Sequence, residues 1–180
     1  LLHKGELVEK GPVDQVIARY TREAAAPALE TLEFPIAGER PQFVSLSLSP
    51  STIDHGGIIE VDASLFSPVS TSVAVEMQIH DERLVPVAYT STAPLAGLMF
   101  SLEAGVTKRI RMRLGPLPFA TGSYSLYFTL HRPGVEGYHV PAESLGFEVL
   151  HADPYGVGYD FKQSAGFGAV SVPVELEHRE

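Results

Sequence analysis

The sequence contains no cysteine. That absence rules out a disulfide framework, a thiolate metal site and a cysteine nucleophile, and it suits a reducing compartment. Long apolar runs are missing too: no stretch approaches the roughly 20 residues that a spanning helix needs, so a soluble domain is expected. Basic residues are scarce, 13 Lys and Arg against 22 Asp and Glu, and the resulting net charge of −9 argues against nucleic acid as a partner. Three signatures of chemistry are also lacking. Without Gly-x-x-x-x-Gly-Lys-[Ser/Thr] there is no phosphate cradle for ATP hydrolysis, and without Gly-x-Ser-x-Gly there is no nucleophile elbow. The seven histidines, at 3, 55, 80, 131, 139, 151 and 178, never adopt His-Glu-x-x-His or another close ligand spacing. The expectation is a non-catalytic protein with no cofactor and no metal.

What is present fits one packed domain with a short appendage. The 180 residues are 44% hydrophobic and 19% charged, a globular balance rather than a disordered one. The chain opens Leu1-Leu2-His3-Lys4-Gly5, with neither Met nor a signal pattern, and reads as a piece of a longer chain. A Lys4-Gly5 turn suggests a hairpin, and Gly11-Pro12 then opens a short helix whose Val13, Val16, Ile17 and Tyr20 form one apolar stripe. Such a unit is too small to bury its own apolar face. Residues 24–41, with Pro27, Pro35, Gly38 and Pro41, read as a linker.

From Gln42 onward the apolar period is two, with β-branched and aromatic residues between Gly, Pro, Ser and Asp clusters. Strands are predicted over 43–48, 57–66, 73–80, 84–91, 98–102, 106–114, 122–131, 145–151 and 169–176. This pattern predicts an all-β, immunoglobulin-like antiparallel sandwich. Four rows are its expected core: Ile59, Val61, Ala63 and Leu65; Val73, Val75, Met77 and Ile79; Ile110, Met112 and Leu114; Tyr124, Leu126, Phe128 and Leu130.

Residues 2–20, with a hairpin at Lys4-Gly5 and the closing Val16-Ile17-x-x-Tyr20, resemble the last segment of an ABC-transporter nucleotide-binding domain. The stretch Leu117-Pro118-Phe119-Ala120-Thr121-Gly122-Ser123-Tyr124-Ser125-Leu126 resembles the Leu-x-x-Gly-x-Tyr-x-Leu approach to a late sandwich strand. In this order, ATPase tail, linker, sandwich and a further strand, the chain is similar to the C-terminal extension of Wzt-type ATPase subunits of O-antigen polysaccharide ABC transporters. The resemblance implies a division into an ATPase tail at 1–23, a linker at 24–41 and a carbohydrate-binding sandwich at 42–180. It also implies recognition of finished O-polysaccharide, a homodimer, contact with a membrane permease through the missing ATPase domain, and a place at the cytoplasmic face of the inner membrane. A departure from that pattern is the turn 80–84, which lacks an expected glycine.

Two polar rows compete for a role. Arg109, Arg111 and Arg113 look like a phosphate patch, but opposite Glu60, Asp62 and Ser64 they read better as cross-strand ion pairs. The other row sets Glu76, Gln78 and His80 beside Tyr127, Thr129 and His131. Planar polar groups next to an aromatic ring suit sugar hydroxyls and an apolar C–H face, and an ordinary solvated sheet face is the alternative. Tyr138 and His139, in the connection after Arg132-Pro133-Gly134, are candidates to extend the site, with Tyr138 packing down as the alternative. The last strand, 169–177, follows a glycine-rich passage, and its Val170, Val172, Val174 and Leu176 are expected to be exchanged between subunits. The competing function is a structural or protein-interaction sandwich that couples the ATPase to a biosynthetic enzyme.

Overall fold

The computed structural model describes residues 29–174, together with Gly11 and two short strands, β1 (Leu2–His3) and β2 (Glu6–Leu7). Leu2 pairs with Leu7 and His3 with Glu6, the hairpin expected around Lys4-Gly5. The helix expected over 12–20 lies outside the described residues.

The main body is a β-sandwich. One sheet has the order β10-β6-β4-β3, from β3 (Thr31–Glu33), β4 (Gln42–Ser49), β6 (Ile59–Phe66) and β10 (Lys108–Leu114). The other runs β5-β13-β11-β7-β8, from β5 (Thr52–Ile53), β7 (Thr71–His80), β8 (Pro86–Ser91), β11 (Gly122–Arg132) and β13 (Leu145–Val149). Two short strands extend this second sheet: β9 (Phe100–Leu102) pairs with β7, and β12 (Glu136–His139) pairs with β11. All pairings are antiparallel except the short parallel contact of β5 with β13. The four expected core rows face the interior, and only Ile110 is half-buried rather than buried. Alternation along β6 is complete, with Ile59, Val61, Ala63 and Leu65 buried and Glu60, Asp62 and Ser64 turned outward. A register slip of one residue would exchange these two sets, so burial of one face fixes the pairing.

Tyr124 is the largest fully buried side chain. Its ring stacks on Phe119 at 4.7 Å and on Phe147 at 5.3 Å. Its hydroxyl donates to the Ala120 carbonyl at 2.8 Å and lies 3.2 Å from the Ala169 carbonyl, a bond back to the backbone just upstream like that of a tyrosine corner. Burial drives the phenol well above its ordinary pKa.

The structure revises three of the expected boundaries. Of the expected linker 24–41 the described residues, 29–41, do not stay free of the sandwich, because β3 pairs with β4, Leu32 is buried, and Leu29 bridges to Leu145. The Gln42 side chain ties the proline-rich stretch back, donating to the Pro35 carbonyl and accepting from Ala37 N–H. The long connection after Arg132 folds into β12, a hairpin with β11 turned at Gly134, where φ is 70°. Strand 84–91 begins only at Pro86. Ahead of it the Asp81 carboxylate accepts from Arg83 and Val85 N–H, and Leu84 takes φ 59°, the left-handed conformation that the missing glycine would have adopted freely.

The C-terminal passage also differs from expectation. The glycine-rich stretch folds back on its own domain: Thr121 and Lys162 donate to the Asp160 carboxylate, and the buried Gln163 accepts from Glu82 N–H and donates to the Ser123 carbonyl. These bonds, that of Thr121 first, hold the Asp160 pKa down to about 2. Within 169–176 the described residues make one bridge, Val170 to Phe119, and no strand over 171–174, while 175–176 lie outside the described residues. Pro173 has no N–H to donate to a ladder.

Removal of the Tyr124 hydroxyl alone, by Tyr124→Phe, is expected to lower unfolding stability by about 1–2 kcal/mol. Tyr124→Ala, which also opens a cavity, should lower it by about 3–5 kcal/mol. Urea denaturation measures both, and equal losses for the two variants would show that the aromatic stack contributes nothing.

Candidate functional site

The register of β11, β7 and β8 assembles the site. Tyr127 on β11 lies opposite Gln78 on β7, and Gln78 lies opposite Tyr89 on β8; Thr129, Glu76 and Ser91 form the next row. In antiparallel pairs directly opposed side chains share a face, so both rows project from the outer surface of the second sheet. The inward neighbours Met77, Ile79, Phe128 and Leu130 are buried in the core and hold the strands in that register.

Glu76, Gln78, His80, Tyr127 and Thr129 line one depression of about 220 Å3, with Val140 and Pro141 as its further wall. The sixth expected residue, His131, does not line it and stands next to Glu76, with Nε2 3.3 Å from Glu76 Oε1. Inside the depression the His80 and Tyr127 rings lean together at 4.5 Å, and His80 Nε2 is 3.2 Å from Gln78 Oε1. The structure therefore brings all six residues together.

Two residues that border Glu76 from β8, and that line the larger neighbouring cleft rather than this depression, were not singled out in the sequence. Tyr89 donates its hydroxyl to Glu76 Oε1 at 2.8 Å, and burial followed by this bond raises the phenol pKa. Ser91 is buried, and its Oγ has no hydrogen-bond partner among the described residues. His131 Nε2 is likewise buried without an aligned partner, despite its proximity to Glu76. The signal that could have found Tyr89 and Ser91 was their alternation on the strand after the Asp81 turn, but the late start of β8 conceals the register.

His139 and Tyr138 do not extend the site. Tyr138 packs against the core, as its alternative reading had it. His139 Nδ1 accepts from Phe43 N–H at 3.0 Å, and the ring sits edge-on to Phe34 at 5.0 Å. Because Nδ1 accepts, the neutral ring carries its proton on Nε2, and burial lowers the pKa.

Two other concavities offer less. A larger cleft of about 540 Å3 opens between the edge strands β8 and β10, floored by Met77, Ile79, Met112 and Leu114. It is mainly the gap where the sheets part, and the guanidinium groups of Arg111 and Arg113 on its rim are already engaged with Asp62 and Glu60. The outer face of the first sheet holds a polar hollow of about 370 Å3 among Ser45, Ser47, Asp62, Ser64, Arg109 and Arg111, without an aromatic ring. There Arg111 makes a two-pronged bond to Asp62 at 2.8 and 2.9 Å, the expected cross-strand pair. That bond lowers the Asp62 pKa. Among the described residues no three His, Asp or Glu side chains are placed to hold a metal ion, and no helix is long and apolar enough to cross a membrane.

No protein-family model matches the chain, and no curated protein matches it in sequence. Solved structures do share the fold. The C-terminal domain of Wzt superposes with a TM-score of 0.62 at 12% identity, over 86% of this chain and 91% of that one. A Niemann-Pick type C2 protein from the Japanese carpenter ant matches 66% of this chain and 98% of its own at 15% identity, with a TM-score of only 0.46.

The His139 geometry sets a pH dependence. Its folded-state pKa is depressed, so the unfolded chain binds the proton more readily and stability falls as pH drops below the ordinary imidazole value of about 6.5. Thermal melts between about pH 7.5 and pH 5.5 are expected to decline for the wild type and to flatten in His139→Gln. An identical slope in the two proteins would assign the titration to another group.

Proposed function

We propose that this domain recognises a glycan without chemistry, through the outer face of β7, β8 and β11. The observation that carries the reading is the convergence of Glu76, Gln78, Tyr127 and Thr129 on one depression beside Tyr89 and His131. Carboxylate, amide and hydroxyl groups there match sugar hydroxyls, and the half-buried Tyr127 ring offers an apolar surface to a C–H face. The face of the first sheet has comparable polarity but no ring, and its charges are paired among themselves.

The fold shared with the Wzt C-terminal domain, and the resemblance of residues 2–20 and 117–126 to that type of subunit, support O-polysaccharide as the glycan and export by an ABC transporter as the setting. In that setting the domain sits on the cytoplasmic side of the inner membrane. An ATPase domain would precede it and join it to the permease. The site would then select completed polysaccharide for export.

A homodimer belongs to the same proposal. Val172 and Val174 are 75% and 65% exposed, and Phe167 beside them is 75% exposed, an apolar edge that a second copy would cover. The clasp would consist of the segment beyond Ser171, because the carbonyl of Ala169 already accepts from Ala120 N–H of its own domain.

Calorimetric titration with the O-polysaccharide of the source organism is expected to give saturable binding. Gln78→Ala and Tyr127→Ala should each weaken it about three- to tenfold at unchanged melting temperature, as should His131→Ala, with some loss of stability. Wild-type affinity in all three variants would remove this face from consideration. For the dimer, truncation after Ser171 keeps the Ala169 contact and should yield a monomer by sedimentation velocity. A truncated protein that remains dimeric would place the interface elsewhere.

A further inference from the structure

We infer that the site is selective for charge: it takes a neutral or amino-bearing hexose unit and rejects one bearing a carboxylate or phosphate. This rests on the glycan reading above and adds the class of sugar. The starting point is the corner formed by Glu76, Ser91, Tyr89 and His131. Glu76 and Ser91 are directly opposed on β7 and β8. Glu76 Oε1 already accepts from Tyr89 and lies near His131, whereas no hydrogen bond is made to Oε2 among the described residues. Ser91, only 2% exposed, has an Oγ without a partner, and His131 Nε2 is in the same condition. Both atoms are enclosed, so what this corner presents to a ligand is the Glu76 carboxylate, whose side chain is 28% exposed and lines the depression.

The complement of these groups has a definite sign. A carboxylate can only accept, and an amide and two hydroxyls can both donate and accept, so a ligand rich in hydroxyl, acetamido or ammonium donors satisfies them. No lysine or arginine lines the depression. The nearest on these strands, Arg83 in the turn after His80 and Arg132 at the end of β11, are exposed and belong to neither wall. An anionic sugar would bring its charge toward Glu76 with no lysine or arginine in the depression to offset it. The overall charge of −9 adds to the repulsion. At separations of about 6 Å in a partly solvated site, one such repulsion corresponds to roughly three- to tenfold in affinity.

The test compares glucose, glucosamine and glucuronate in amide NMR titrations of the whole chain at about pH 8, above the ordinary imidazole range. Glucose and glucosamine are expected to shift the amides of β7, β8 and β11, with glucuronate at least about threefold weaker. The deficit, read as the ratio of glucuronate to glucose affinity within the same protein, should shrink in about 0.5 M salt and in Glu76→Gln, whatever that variant does to glucose affinity itself. Glucuronate binding as tight as glucose, or a deficit that persists unchanged in Glu76→Gln, overturns the inference and leaves glycan binding intact. If none of the three sugars moves an amide on this face, the glycan reading itself fails and the charge rule goes with it.

Discussion

The fold depends on the packing around Tyr124. Its ring closes the end of the sandwich between Phe119 and Phe147, and its hydroxyl reaches the carbonyls of both Ala120 and Ala169. One side chain therefore fixes the start of β11, the segment before it and the incoming C-terminal tail. A buried phenol with an unmet hydroxyl is costly, so the tail carbonyl and the strand corner are held in place together. Asp160 and Gln163 reinforce the arrangement from the other side, tying the passage after β13 to Thr121, Ser123 and the Asp81 turn.

Because β11 is anchored at Gly122–Tyr124, its later residues emerge in a fixed register against β7. Tyr127 meets Gln78 and Thr129 meets Glu76 only if Leu126 and Phe128 point into the core. The polar face is thus an indirect product of the apolar pattern behind it. The β8 strand adds to this through the Asp81 turn. With Leu84 in the left-handed region, the chain reverses tightly enough for Tyr89 to land opposite Gln78 and bond to Glu76.

Much of this was legible in the sequence, and the reasons are local. Two-residue periodicity with β-branched residues identified β6, β7 and β11 and their buried rows, because half-buried strands must alternate. Opposite charges at Arg111 and Asp62 gave their pairing for the same reason. The short elements β3, β5 and β12 escaped, since two to four residues are too few to display a period. At β3 the prolines on either side suggested a linker, whereas the Gln42 side chain supplies the tertiary tie that absorbs them. At the tail, alternation of valines predicts a strand, the described residues 171–174 form none, and 175–176 lie outside the described residues. In the site, six residues could be placed by parity alone. Tyr89 and Ser91 could not, because their side of the sheet depends on where a turn ends, which periodicity does not encode.

The two sheets treat their outward polar groups differently, and the contrast carries the functional argument. On the first sheet Arg111 meets Asp62 in a two-pronged bond and Arg113 meets Glu60, so that face settles its own charges. On the second sheet Ser91 Oγ and His131 Nε2 make no well-aligned hydrogen bond among the described residues, and beside them Glu76 accepts from Tyr89 and lies 3.3 Å from His131. Unmet buried polar groups cost about 1–3 kcal/mol each, a large share of a domain's net stability of about 5–15 kcal/mol. Apolar side chains of similar size would fit those positions at lower cost. What the second face leaves accessible is the Glu76 carboxylate beside the half-buried Tyr127 ring, and on the proposed reading it is these, rather than the enclosed atoms, that meet a ligand's hydroxyls.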